Sequence, residues 1–151
     1  MNEYSRPTTV TVSEGNSFKS VVADQPMTPG GRYFFQVQIK SGSLFKIGVC
    51  SRRQSPEHAF CDTEQGWAIY NGQLRHGSNH DGKKYGTALS PGDTVHVIFD
   101  TIEGTLSFGK NGTEWGVAFR DRAFCEQEFY AAVALIYMGD SFELVSHQEE
   151  D

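Results

Sequence analysis

No stretch of the chain approaches the ~20 consecutive apolar residues that a membrane-spanning helix requires, so the sequence is read without a membrane segment. Cysteine is scarce: Cys50, Cys61 and Cys125 cannot all pair within one chain, and their spacing fits neither a zinc knuckle nor a CxxC redox pair. Reduced thiols in a cytosol fit them best. Basic residues are outnumbered, 13 Lys and Arg against 19 Asp and Glu, for a net charge of −6. Phosphate backbones demand clustered Lys and Arg, and the longest basic runs are the pairs Arg52-Arg53 and Lys83-Lys84. Nucleic acid is therefore excluded as the expected partner, and the acidic end Glu149-Glu150-Asp151 argues against anionic membrane surfaces as well. No window of a dozen residues carries an amphipathic helical pattern, and neither an internal repeat nor a low-complexity linker divides the chain.

What is present is alternation. In Tyr33-Phe34-Phe35-Gln36-Val37-Gln38-Ile39-Lys40 the odd positions are apolar while Gln36, Gln38 and Lys40 face away, which is the period of a half-buried strand. The same period sets Phe45, Ile47 and Val49 on one face, then Val95, Val97 and Phe99, then Leu106 and Phe108, then Phe129, Ala131, Val133 and Leu135, then Phe142 and Leu144. Shorter strands are expected around Val10, at Phe18 to Val22 and at Trp67 to Tyr70. Between them lie turn signals, among them Pro29-Gly30-Gly31, Asn71-Gly72, Pro91-Gly92-Asp93 and Asn111-Gly112, the last predicting a tight hairpin with positive φ at its centre. Many short strands at this spacing predict an all-β, two-layer antiparallel sandwich. The 151 residues are enough for one core, so 1–151 is expected to be a single domain, with 1–7 and 147–151 as tails.

The chemistry that an enzyme needs is not assembled. His76, His80 and Asp81 share a Gly-rich loop, where four-residue spacing does not bring two side chains to one face, so a metal site is not expected. Gly104, Gly109 and Gly112 form neither GxGxxG nor a P-loop. His96 interrupts the run Val95 to Phe99 and is expected either to point outward or to meet a partner as a hydrogen-bonded histidine. Asn111-Gly112-Thr113 fits the glycosylation pattern, but its turn role explains it better. The reading is of a non-catalytic protein with no cofactor and no metal.

From Tyr33 to Leu144 the order of segments resembles the SPRY domain family. YFFQVQI at 33–39, FKIGV at 45–49, GWAIY at 66–70, GDTVHVIFD at 92–100, GTLSFGKNG at 104–112 with GVAF at 116–119, and FYAAVAL at 129–135 follow that family's motifs in order. Ala131 stands where the family commonly has Pro. The resemblance implies a concanavalin-like jelly roll without the longer PRY extension, with Trp67, Phe99, Phe108 and Phe119 in the core. It also implies a cytoplasmic, monomeric module that binds a protein or peptide through loops at one end, in a setting such as substrate recognition by a ubiquitin ligase. In the SOCS-box adaptors of the family a Val-Trp-Gly segment helps to hold a peptide. Ile136, Tyr137 and Met138 occupy the matching positions, with Tyr for Trp and Met for Gly. The expected partner-binding residues are these three, His58 or Phe60 from the long segment before Gly66, Arg52 and Arg53 for hydrogen bonds, and Gln25 and Pro26 from the N-terminal side. The alternative is a sandwich that binds a glycan or another small ligand.

Overall fold

The computed structural model describes residues 8–11, 19–51, 59–62, 65–77, 82–137 and 139–148. Eleven strands run through them: β1 (Thr8–Thr11), β2 (Lys19–Val22), β3 (Arg32–Ser41), β4 (Lys46–Cys50), β5 (Gly66–Tyr70), β6 (Gln73–Arg75), β7 (Thr94–Asp100), β8 (Thr105–Lys110), β9 (Thr113–Arg120), β10 (Tyr130–Leu135) and β11 (Ser141–Gln148). One-turn 3-10 helices, Phe60–Asp62 and Arg122–Cys125, interrupt two of the connections. The strands form two sheets, ordered β1-β11-β3-β7-β8-β9 and β2-β10-β4-β5-β6. Every strand pair is antiparallel.

Alternation decides which side chains meet. Phe35, Val37 and Ile39 of β3 and Val95, Val97 and Phe99 of β7 are at most 1% exposed and face Ile47, Val49, Trp67, Val133 and Leu135 of the other sheet. Trp67, Phe99, Phe124 and Phe129 meet edge to face, with ring centroids 5.1–5.5 Å apart, in a geometry that offers ring edges to ring faces. Phe108 completes this layer and Phe119 packs against it half-buried. On the outer side of the six-stranded sheet His96 stacks on Phe34, 6.2 Å between centroids, and Gly109 opposite it leaves the room that the imidazole fills. The two Asn-Gly pairs turn as their sequence demands. Asn71 and Gly72 have φ of 48° and 78°, Asn111 and Gly112 of 52° and 86°, the left-handed pairs that join right-twisted strands.

Two expectations need correcting. β6 was not expected, because Gln73-Leu74-Arg75 is too short to show a period. β11 extends to Gln148, pairing His147 with Phe34 and Gln148 with Tyr33, so the expected C-terminal tail loses its first two residues to the sheet. The tail segments 1–7 and 149–151 lie outside the described residues. No helix among the described residues is long and apolar enough to cross a membrane.

Candidate protein-interaction surface

The strand directions give the sandwich two unlike ends. β10 runs from Tyr130 to Leu135, and its register with β4 sets Tyr130 beside Cys50 and Ala134 beside Lys46. Past Leu135 the chain turns through 136–140 into β11, whose first residue pairs with Ser41. Tyr137 therefore shares its end with the Gly42 turn, Asn71-Gly72, Pro91-Gly92 and Asn111-Gly112. The opposite end carries 23–31, the two flanks of 51–65, the β7–β8 turn and the second 3-10 helix.

At the first end the turn is fastened from beneath. Asp140 is 5% exposed, and its carboxylate accepts the Tyr137 N–H at 2.9 Å while its own N–H donates to the Tyr137 carbonyl at 2.9 Å. Gly42, at φ 98°, presents no side chain to that carboxylate, which a Cβ there would overlap. The result is a turn closed by two hydrogen bonds between Tyr137 and Asp140, and it leaves Tyr137 51% exposed, one of three large apolar side chains in the open among the described residues. Ile136 is half-buried beside it and Met138 lies outside the described residues. On the same end Asn111 donates to the Asp93 carboxylate at 2.9 Å and Lys110 stands 3.7 Å from it. The asparagine bond, more than the lysine charge, holds the Asp93 carboxyl below its ordinary pKa. Beside Asn71-Gly72 a groove opens, lined by Gln73, Lys84, Tyr85 and Thr87. Tyr85, whose hydroxyl is pushed above its usual pKa by burial, packs edge-on against Trp115 at 5.7 Å.

The expected binding residues do not assemble on this end. Gln25 and Pro26 precede Met27, which exchanges both backbone hydrogen bonds with Phe129 at 2.7 and 3.0 Å. That fixes them beyond the start of β10, a strand's length of about 17 Å from Tyr137. Ser51 is tied to Gln65 at the same far end, N–H to carbonyl at 2.8 Å. Arg52, Arg53 and His58 lie outside the described residues. Phe60, expected at the rim, is fully buried. It packs over the outer face of the five-stranded sheet with Cys50, Ala68, Ala132 and Ala134, where small residues leave a hollow for one aromatic ring. Sequence held the signal for this: YAAVAL is apolar at every position from Ala131 on, which a strand shows when both of its faces are covered. Parity also separates the ends, because the β2–β3 and β4–β5 connections open on one side and the β10–β11 connection on the other.

Among the described residues no three His, Cys, Asp or Glu side chains could together hold a metal ion. His76 instead stacks on Trp67, 4.3 Å between centroids, with Nδ1 2.8 Å from the Gly66 carbonyl. His80 and Asp81 lie outside the described residues.

Comparison with known proteins matches the SPRY domain profile over residues 32–148, well over half of the sequence. The chain belongs to the SPRY domain family. It is similar to the SPRY domain of human HERC1, with a TM-score of 0.63 at 25% identity over 91% of this chain and 86% of that one. It is 33% identical over 128 residues to the Anopheles gambiae F-box/SPRY domain-containing protein 1, covering 76% of this chain and 49% of that protein. To the Drosophila melanogaster ATP-dependent RNA helicase Ddx1 it is 26% identical over 106 residues, 70% of this chain and 14% of the helicase. The chain thus spans about half or less of these two relatives. SPRY domains are generally protein-interaction modules, and the HERC1 match agrees with the two antiparallel sheets found here.

Proposed function

We propose that this SPRY domain is a non-catalytic, cytoplasmic recognition module that holds a peptide segment of a partner protein at the end of the sandwich formed by Tyr137 and the turns around it. The observation that carries the reading is a large ring half in solvent on a turn that Asp140 closes with two hydrogen bonds and for which Gly42 leaves room. A pre-ordered aromatic contributes contact area while losing little entropy on binding, which is how interface hot spots work. Gln25 and Pro26, at the opposite end, have no part in this contact, and Phe60 covers the outer face of the five-stranded sheet. The F-box/SPRY relative supports a setting in ubiquitin-ligase substrate recognition, where such an end would select the substrate.

The test is selection of binding peptides from a display library with the wild-type domain, followed by titration against Tyr137→Ala. The expected result is a loss of about 2 kcal/mol, roughly 30-fold in Kd, with an unchanged circular dichroism spectrum. Equal binding by the variant, or selection of glycans from an array in place of peptides, would contradict the reading.

A further inference from the structure

Cys50 and Cys61 are brought together by the fold although ten residues separate them in the chain. Cys50 ends β4 and is the register partner of Gly66 on β5. Since the adjoining pair is bonded, Ser51 N–H to Gln65 carbonyl, Cys50 and Gly66 fall on a non-hydrogen-bonded site, where facing Cα atoms stand about 4.5 Å apart and side chains are closest. Glycine at 66 lets the first 3-10 helix settle onto the sheet: a Cβ there would lie 2.9 Å from the Cys61 Cα and would overlap the Phe60 carbonyl. Both cysteines therefore flank one glycine, on the same outer face, fully buried in one cluster with Ala68, Ala132 and Ala134. They carry thiols, not a disulfide. A disulfide needs its two Cα atoms close together, about 4.4–6.8 Å, and one glycine between the two cysteines in a shared buried cluster is what brings them near one another.

We propose that Cys50 and Cys61 form a reversible disulfide when the protein meets hydrogen peroxide, fastening the 3-10 helix to the end of β4. One thiolate attacks a peroxide oxygen, the O–O bond breaks, and a sulfenic acid forms as hydroxide leaves and takes up a proton. The second thiolate attacks that sulfur, the S–O bond breaks, and the S–S bond forms as the second oxygen leaves as water. Two thiols thus give two electrons and two protons to one peroxide, which becomes two waters. Burial among apolar groups keeps both thiols slow while the helix is seated. Reaction proceeds as that packing opens, and the product closes a ring over residues 51–60, the segment that holds Arg52, Arg53 and His58. The inference stands apart from the reading of Tyr137.

The protein and its Cys125→Ser variant are treated with hydrogen peroxide without denaturant, at a dilution that disfavours dimers. They are then unfolded in an alkylating reagent and digested without reductant. Cys125 is partly exposed beside the Ile102 carbonyl, 3.6 Å away, and serves as the internal control thiol. Expected are a mass loss of two hydrogens, a peptide pair joined through Cys50 and Cys61 in both proteins, and recovery of both thiols with dithiothreitol. Alkylation of both cysteines after treatment, their separate conversion to sulfinic or sulfonic acids, or a bond that uses Cys125 or joins two chains would overturn the proposal.

Discussion

The two ends of this sandwich are built on different plans. At the Tyr137 end the chain reverses in short turns whose shape is set by local chemistry: left-handed Asn-Gly at 71–72 and 111–112, Gly92 at φ 93°, and an aspartate that closes 137–140. At the other end longer connections fold back on the sheets, Met27 pairing with Phe129, Thr101 accepting the Gly31 N–H at 2.8 Å, and Phe124 entering the core from a 3-10 helix. Short, self-bonded turns leave side chains pointing outward on a firm base, whereas long connections spend their apolar residues on covering the sheets. That difference is why Tyr137 is presented and Phe60 is consumed.

Phe60→Ala should break the comparison hardest. If Phe60 fills the hollow over Ala132 and Ala134, its loss removes transfer energy and leaves a cavity, about 3–5 kcal/mol in urea unfolding. A change under about 0.5 kcal/mol would instead mark it as a surface residue. Gly42→Ala should cost about 1–3 kcal/mol, because φ of 98° strains any Cβ and the added methyl meets the Asp140 carboxylate. Peptide binding should weaken with it as the Tyr137 turn loosens. Asn111→Gly keeps the left-handed turn and removes the donor to Asp93, for about 1–2 kcal/mol at neutral pH. The asparagine lowers the folded-state pKa of Asp93 below 3.8, so its contribution is present above that value and fades as pH falls through the depressed one. Wild type and variant should accordingly draw closer in stability under acid, leaving the share due to the Thr94 N–H that the Asn111 Oδ1 accepts at 2.8 Å, and a gap that does not narrow would contradict the role given to Asp93.

Most of the fold could be read from the residues. Period two placed Phe35, Val37 and Ile39 inward and Asn-Gly marked the hairpins, because both signals are local and each residue carries its own share. The site was legible only in part. Tyr137 lies exposed just past the end of β10, but grouping it with Gln25 and Pro26 ignored that each antiparallel strand carries the chain to the other end. Phe60 was misplaced for a different reason: a lone aromatic in a long connection obeys no period, and its destination is written in the small residues of β5 and β10, far away in sequence. β6 was missed because a three-residue strand, bridged on its outer side through Gln73 to Lys84, has too little pattern of its own.

The account rests on recognition occurring at one end and not the other, and amide chemical shifts report that directly. Titrating a selected peptide into the isotope-labelled domain should move the resonances of Gly42, Ile136, Tyr137, Gly139 and Gly112 while leaving Gln25, Met27, Ile102 and Glu103 in place. Shifts confined to this second group would contradict it.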